Sequence, residues 1–492
     1  MAELDPLSPG SEPRPGGLSR RDPHDSMRLW ANLVLFHLGT LLVGTSWWFG
    51  GQSEGARLAI LIWGSLGIPL FFAIWGRQRA SGAGFASPWR HLWPLLIFDA
   101  LVLISVFNPS TRLVMYEGEQ LVVHTDPRWP WLPSSARPDL TLRELWQFNI
   151  IVISCFNAFL ALRHRRLLRR LLALLAANAL LLAIFGTLQK LIGAKGIWLG
   201  AVKTPQPYFF STFVYHNHWG AFTVLNVTIC LGLLFHALRR GGHRDFWHSP
   251  VLLGAVAIAF MAATAPLSGS RSTTVLMLFV LAIAVAQFLG HVVRSRRAHH
   301  ESVLLPVTGI VLAFALTLGG AGYLSRDVII ARTELTARQL ERIRTEDTMN
   351  SRLTLYRDTW EMAARKPVYG WGLETYGDVF RIFNSQRVPE RWIGAPHYRE
   401  AHNDWLQALA EVGFAGTGAL LLLGLAPLWG VWRLRSDSRL PIQLLLGCGI
   451  VLLYAWVEFP FANPAVMMLF WTSLYVAAAY ARLDRGRSAP AP

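Results

Sequence analysis

The residues best suited to chemistry lie in the run Arg399-Glu400-Ala401-His402-Asn403-Asp404-Trp405-Leu406-Gln407-Ala408-Leu409-Ala410-Glu411-Val412-Gly413. It closes a long polar segment and leads straight into the apolar stretch 414–432. Taken as a helix, it carries His402, Leu406, Leu409 and Gly413 on one face and sets His402 in the first turn, at the water end of a membrane span. The positive end of the helix dipole disfavours an imidazolium there, so a neutral His402 able to accept a proton is expected. The same helix end attracts an anion. A plain interfacial histidine facing water is the alternative.

Cations suited to an anion stand elsewhere in the chain. Arg271, in Leu267-Ser268-Gly269-Ser270-Arg271-Ser272, occupies a tight turn between two apolar runs. It reads either as a fixed cation for a phosphate at the membrane surface or as an arginine snorkelling to the interface. Arg352 shares a helical face with Tyr356 and Trp360 while Arg357 turns away, and the alternative is a solvated amphipathic face. Arg399, just ahead of His402, can join an anion site or pair with Glu400 or Asp404. Asn217, flanked by His216 and His218, can cap a helix or touch a sugar.

These residues must be positioned by membrane helices. The chain has 492 residues, 53% of them hydrophobic, with 21 Trp, and repeats apolar runs of about 20 residues, the mark of a polytopic helical membrane protein. About twelve spans are expected, roughly 29–49, 57–76, 92–108, 142–162, 171–192, 217–238, 250–268, 273–293, 303–323, 404–432, 441–459 and 464–481. Residues 1–28, rich in Pro, Gly and charge, are expected to form a disordered tail without signal-peptide character. One membrane domain fills 29–482, and 483–492 form a second tail. The net charge of +16 falls in short basic clusters between spans, a topology signal and not a nucleic-acid footprint. It sets both termini in the cytoplasm, with 77–91, 163–170, 239–244, 294–297 and 433–439 inside. Three outer loops are longer than turns: 109–141, irregular and lid-like, 193–216, and the largest, 324–402, with a charged helical half, a turn at Pro367 to Gly372 and a short helix near 374–383.

Several chemistries are excluded. There is no phosphate-binding Walker loop, no Rossmann glycine fingerprint and no Asp-x-Asp pair for a divalent ion on a nucleotide sugar, so neither a metal nor a cofactor is expected. Cys155, Cys230 and Cys448 all lie in apolar runs and suggest neither disulfides nor zinc. The spans hold few ionisable groups, Asp99 and Glu458 among them, which argues against a proton-coupled relay.

The run His402 to Gly413 resembles the signature of the O-antigen ligase and polymerase superfamily of bacterial membrane proteins. Further segments stand in the expected order: Thr212 to His218, the Ser270-Arg271 turn, Arg352 to Trp360 with the Pro367 to Gly372 turn, and Glu458-Phe459-Pro460-Phe461-Ala462-Asn463-Pro464. The resemblance covers roughly 200–480; before that the chain matches only as spans. It implies an all-α, GT-C-like membrane fold of about twelve helices with a large helical periplasmic loop. It further implies a metal-independent, inverting glycosyltransferase at the outer face of the bacterial inner membrane. The donor would be a glycan on undecaprenyl pyrophosphate, and the acceptor a hydroxyl of a glycan, of lipid A-core or of a protein. By the same resemblance His402 is the base and Arg271 and Arg352 bind the pyrophosphate; Arg399, Asn217 and His218 are added as candidate substrate contacts, and Asn403, Gln407 and Glu411 as support for the motif.

Two rivals come from other classes. A lipid-glycan flippase would carry cations deep in several spans, whereas here they cluster at span ends. A scaffold of an envelope assembly would tolerate replacement of the outer arginines. Transfer to protein is a variant within the leading class.

Overall fold

An apolar run inside a bilayer finds no water for its amides, so it closes its hydrogen bonds internally as a helix. A computed structural model describes residues 23–80, 87–116, 118–204, 208–239, 249–330, 333–334, 351–385, 398–434 and 438–488. Its helices are α1 (Pro23–Trp47), α2 (Glu54–Ser65), α3 (Gly67–Ala80), α4 (Trp89–Val106), α5 (Pro138–Ala161), α6 (Arg165–Leu191), α7 (His216–Arg239), α8 (Pro250–Leu267), α9 (Arg271–Ala298) and α10 (Leu304–Leu324). An outer pair follows, α11 (Ser351–Arg365) and α12 (Tyr376–Phe383), then α13 (Asp404–Leu434), α14 (Arg439–Tyr454) and α15 (Pro464–Ser488).

The protein is an all-α polytopic membrane protein. Among the described residues 11 helices are long and apolar enough to cross a membrane, with α2 and α3 forming one of them. Where a span is expected over 441–459, the structure has the shorter apolar helix α14, which is not among those 11. Serine starts several helices where the sequence turns from polar to apolar: Ser53, Ser249, Ser270 and Ser438 each accept a backbone N–H in the first turn. Helices α7 and α15 are the most enclosed, α15 packing on α5, α13 and α14, while α10 lies outermost against α8 and α9.

Four boundaries differ from expectation. Helix α1 begins at Pro23, so the end of the supposed N-terminal tail is helical, and residues 1–22 lie outside the described residues. Helix α15 runs on to Ser488, taking in most of the supposed C-terminal tail. The 109–141 loop contains an antiparallel hairpin, β1 (Thr111–Tyr116) on β2 (Glu119–His124), with Tyr116 opposite Glu119 and Gly118 at φ +82°. The β-branched and apolar run around that glycine is a hairpin signal. In the 324–402 loop, 335–350 and 386–397 lie outside the described residues.

The fourth difference positions the site. Helix α13 is broken at Gly413 (φ +62°, ψ −171°), a backbone region open essentially to glycine alone. Four backbone groups beside the break are taken by the Pro367 to Gly372 turn. Phe414 and Ala415 N–H donate to the Pro367 and Val368 carbonyls at 2.8 and 3.0 Å, while Trp371 and Gly372 N–H donate to the Ala410 and Glu411 carbonyls at 3.0 and 2.8 Å. The approach is so close that a Cβ on Gly413 would lie 2.3 Å from the Val368 oxygen. The turn therefore clamps the outer cap onto the membrane bundle. Beneath the clamp a small core gathers Leu355 and Met362 of α11, Tyr376, Val379 and Phe380 of α12, and Ala401 and Ala410.

Candidate active site

His402 does not sit in the first turn of a helix. It lies just ahead of α13 with φ +52°, a left-handed conformation that costs a residue with a side chain roughly 1–3 kcal/mol. Its neighbours hold it there. Asn403 caps α13, its Oδ1 accepting the Leu406 N–H at 3.0 Å. Asp404 N–H donates to the Ala455 carbonyl at 2.9 Å, and Asp404 Oδ2 accepts from Phe461 N–H at 3.0 Å. Gln407 accepts from Ala401 N–H at 2.9 Å and donates to Glu400 at 2.9 Å. Glu411 accepts the Glu374 and Tyr376 N–H groups at 2.9 and 3.2 Å, tying α13 to the start of α12. Tyr356 O–H donates to the His402 carbonyl at 2.9 Å. The polar residues of the run are thus spent mainly on fixing one imidazole.

The hub beneath that imidazole is Glu458, a buried carboxylate in the turn between α14 and α15. One oxygen accepts from Arg352 Nη2 at 2.7 Å; the other accepts from Tyr215 O–H at 3.2 Å and His402 Nδ1–H at 3.4 Å. Arg352 also donates to the Val457 carbonyl at 3.2 Å. Burial works against the charge on Glu458, but the His402 hydrogen bond and the Arg352 guanidinium overcome it and hold its pKa below the ordinary carboxylate value. With Nδ1 committed to Glu458, His402 has its Nε2 lone pair left to accept a proton. Phe459 packs edge-on against the ring, centroids 4.6 Å apart, and limits its rotation.

The relay extends to the Arg271 turn. Ser270 caps α9 and donates to Asn217 Oδ1, and Asn217 Nδ2 donates to the Tyr215 hydroxyl at 2.8 Å. Ser272, on the other side of Arg271, lies 3.2 Å from the Tyr454 hydroxyl. Arg271 is exposed at the first position of α9, where the helix dipole alone would disfavour a cation. Asn217 therefore serves the relay as a link between helices. His218 is buried, its Nε2–H donating to the Phe459 carbonyl at 3.1 Å, so it braces the wall behind His402.

In front of His402 opens a cavity of about 980 Å³, with His402, Tyr215, His218 and Phe459 in one wall and Arg399 in another. Its charges are mixed and largely paired: Arg137 with Asp378, Arg143 with Glu54 at 2.7 Å, and Arg57 with Glu374 at 3.7 Å. Burial and the neighbouring Glu374 push the Glu400 carboxyl well above its usual pKa. Neither Arg271 nor Arg352 lines this cavity; Arg352 reaches Glu458 from outside it.

Sequence reasoning named His402, Arg271 and Arg352 but passed over Glu458, Tyr215 and Tyr356 as site residues. Glu458 carried a signal, being one of few ionisable groups next to an apolar run. For Tyr215 and Tyr356 the sequence gives only a place, in the Thr212 to His218 segment and on the face of Arg352; the fold alone brings Tyr215 onto Glu458 and Tyr356 onto the His402 carbonyl. Arg352 bonds Glu458, whereas Arg357 turns to Asp358 and Ser385, at 3.1 and 2.8 Å.

A membrane bundle that holds a carboxylate-backed histidine and two arginines at helix ends, beside a polar cavity, defines a class: a polytopic membrane protein with a polar candidate site at its helix ends. Residues 256–421 match the family model described as O-antigen ligase, and the match supports the resemblance to the O-antigen ligase and polymerase superfamily. A comparison with curated proteins finds no match. The matched region holds Arg271, Arg352, Arg399, His402, Asn403, Gln407 and Glu411, whereas Asn217, His218, Tyr215 and Glu458 lie beyond its ends. The family supports a function of the O-antigen ligase or polymerase type, with a glycosyltransferase-like activity.

Proposed function

We propose that the protein is an inverting, metal-independent glycosyltransferase that moves a glycan from undecaprenyl pyrophosphate to an acceptor hydroxyl at the outer face of the inner membrane. The observation that carries the reading is the continuous set Arg352–Glu458–His402, to which Ser270, next to Arg271 in the chain, is joined through Asn217 and Tyr215.

The acceptor oxygen attacks the anomeric carbon as the bond to the pyrophosphate oxygen breaks. The acceptor proton passes to His402 Nε2, and the electron pair of the broken bond leaves with the pyrophosphate. Glu458 stabilises the imidazolium that forms, as a carboxylate behind a catalytic histidine does. Arg271 and Arg352 face the charge that grows on the leaving group; removing one such donor typically costs about 2.7–4 kcal/mol of transition-state stabilisation. Arg352 is 46% exposed while bonded to Glu458. One displacement inverts the anomeric centre and needs no carboxylate nucleophile.

The test is made in cells lacking the gene and restored with wild type or His402→Ala, profiling lipid-linked glycan and surface polysaccharide by chain length. A single lipid-linked repeat that accumulates while polymer vanishes identifies a polymerase. Full-length polymer stranded on the lipid identifies a ligase. A normal profile with inserted His402→Ala protein removes the base role.

A further inference from the structure

Three segments of the chain meet at the end of the bundle away from His402. Residues 77–91, 163–170 and 482–488 hold three, five and three arginines and a single acid, Asp484. Gln78 and Arg482 both reach the end of α5, donating to the Leu160 and Phe159 carbonyls at 3.0 and 2.9 Å. From Pro464, just past the Glu458 turn, to Arg482 helix α15 rises roughly 27 Å. The corner therefore lies about one hydrocarbon thickness from the proposed active site.

Basic residues at span ends set topology, but for that they need only stand in water. Here some of them are folded into the protein. The Arg482 guanidinium lies 4.4 Å over the Phe159 ring. Arg163, in the turn between α5 and α6, is half-buried and within electrostatic reach of Arg482. Burial pulls the Arg163 pKa below its ordinary value. The charges of Arg482 and Arg90 both act on His91, whose ring packs edge-on to Phe159 with centroids 5.0 Å apart. Asp484 already pairs with Arg165 at 2.5 Å. Apolar packing thus gathers like charges at a place where the three segments supply one carboxylate among their arginines.

An apolar path leads away from the same spot. From Phe159 the aromatic rings continue through Phe156, Phe71 and Trp75 to Phe72, which is exposed. Aromatic side chains at span ends sit at headgroup depth.

We propose that this corner binds the headgroup phosphate of an anionic phospholipid in the leaflet opposite His402. Arg163 and Arg482 take the phosphate, and the aromatic row takes the first part of an acyl chain. A phosphodiester brings negative charge to the gathered cations and offers two oxygens to guanidinium forks. Basic pockets between membrane helices are a recurrent form of such a site. A free phosphate ion has the same headgroup chemistry but uses nothing of the aromatic row. The site is independent of glycan transfer, since its ligand belongs to the bilayer.

The test is native mass spectrometry of the full-length protein in mild detergent, titrated with dimyristoyl phosphatidylglycerol. Dimyristoyl phosphatidylcholine and inorganic phosphate are the comparison probes. Phosphatidylglycerol should bind more tightly than phosphatidylcholine. Arg163→Gln and Arg482→Gln should each weaken its first binding about five- to tenfold, the worth of one arginine at an anionic headgroup. Arg166→Gln, at an exposed arginine close by in the chain, should change it less than about twofold, because charge in water is screened. A thermal midpoint in phosphatidylcholine shows which variants are folded, and each arginine variant tests the site without the other. Equal losses in Arg166→Gln and Arg163→Gln overturn the proposal in favour of diffuse attraction to a basic surface. Equal binding of the two lipids overturns it in favour of ordinary bilayer contact. Inorganic phosphate that displaces phosphatidylglycerol at equal concentration overturns it in favour of a soluble anion. No glycan is turned over, so the transferase reading, tested by His402→Ala, fails separately.

Discussion

Replacing Glu458 by glutamine keeps the shape of the hub and removes its charge. The carboxylate accepts from Arg352 at 2.7 Å, Tyr215 at 3.2 Å and His402 at 3.4 Å. An amide has one accepting oxygen, so its NH₂ must face either the guanidinium or the hydroxyl and imidazole, all of which are donors in wild type. Breaking a buried pair from one side costs about 3–5 kcal/mol. Arg352 is 46% exposed and regains water, so we expect roughly 1–3 kcal/mol of lost stability. The rate suffers more. An amide behind a catalytic imidazole can cost about 10⁴ where the bond is short. At 3.4 Å the coupling is looser, and a fall of about 10²–10³ in kcat/KM is expected. The imidazolium formed in the reaction loses its counter-charge. The assay is glycan transfer from a lipid pyrophosphate donor by purified protein, across pH, with thermal unfolding in parallel. A variant within threefold of wild type would refute the orienting role. In wild type the network adds stability above the ordinary carboxylate value of 4.5 and loses it as pH falls below that, because the folded pKa lies lower. Glu458→Gln removes this acid dependence.

Other consequences are open to measurement. Gly413→Ala forces a Cβ to 2.3 Å from the Val368 oxygen at a backbone angle reserved for glycine, and should lower stability by more than about 3 kcal/mol; a thermal midpoint close to wild type would exclude the clamp. Arg271→Ala should reduce transfer by about 10²–10³ with insertion unchanged, measured with the same lipid-linked donor. Lys366, which bonds Ser110 at 3.1 Å and Ser134 at 2.9 Å, has its pKa lowered by burial from 10.5 to about 8. Because the unfolded chain binds more protons between those values, docking of the 109–136 loop should strengthen as pH rises from about 8 towards 10.5. Protection of that loop from protease reads this out, and protection that falls over the same range would contradict it.

The sequence alone determined the polytopic helical architecture, and it singled out His402, Arg271 and Arg352 as candidates, because each is written in local pattern. Apolar length makes a span whatever its neighbours are, and serine before an apolar run caps a helix by contacts within one turn. The hairpin at Gly118 was legible by the same logic and was passed over within a proline-rich loop. Other features depended on tertiary structure. His402 left the helix that its periodicity assigned because Gln407, Tyr356 and Asp404 bind the surrounding backbone more strongly than one more helical turn would. Gly413 became a break and not a helix face because the Pro367 to Gly372 turn supplies partners for the freed groups. Glu458 became the hub because Tyr215, Arg352 and His402, separated from it by 243, 106 and 56 residues, converge on one buried carboxylate. Local pattern carries no record of such a meeting, since buried charge is settled by the groups that surround it in space.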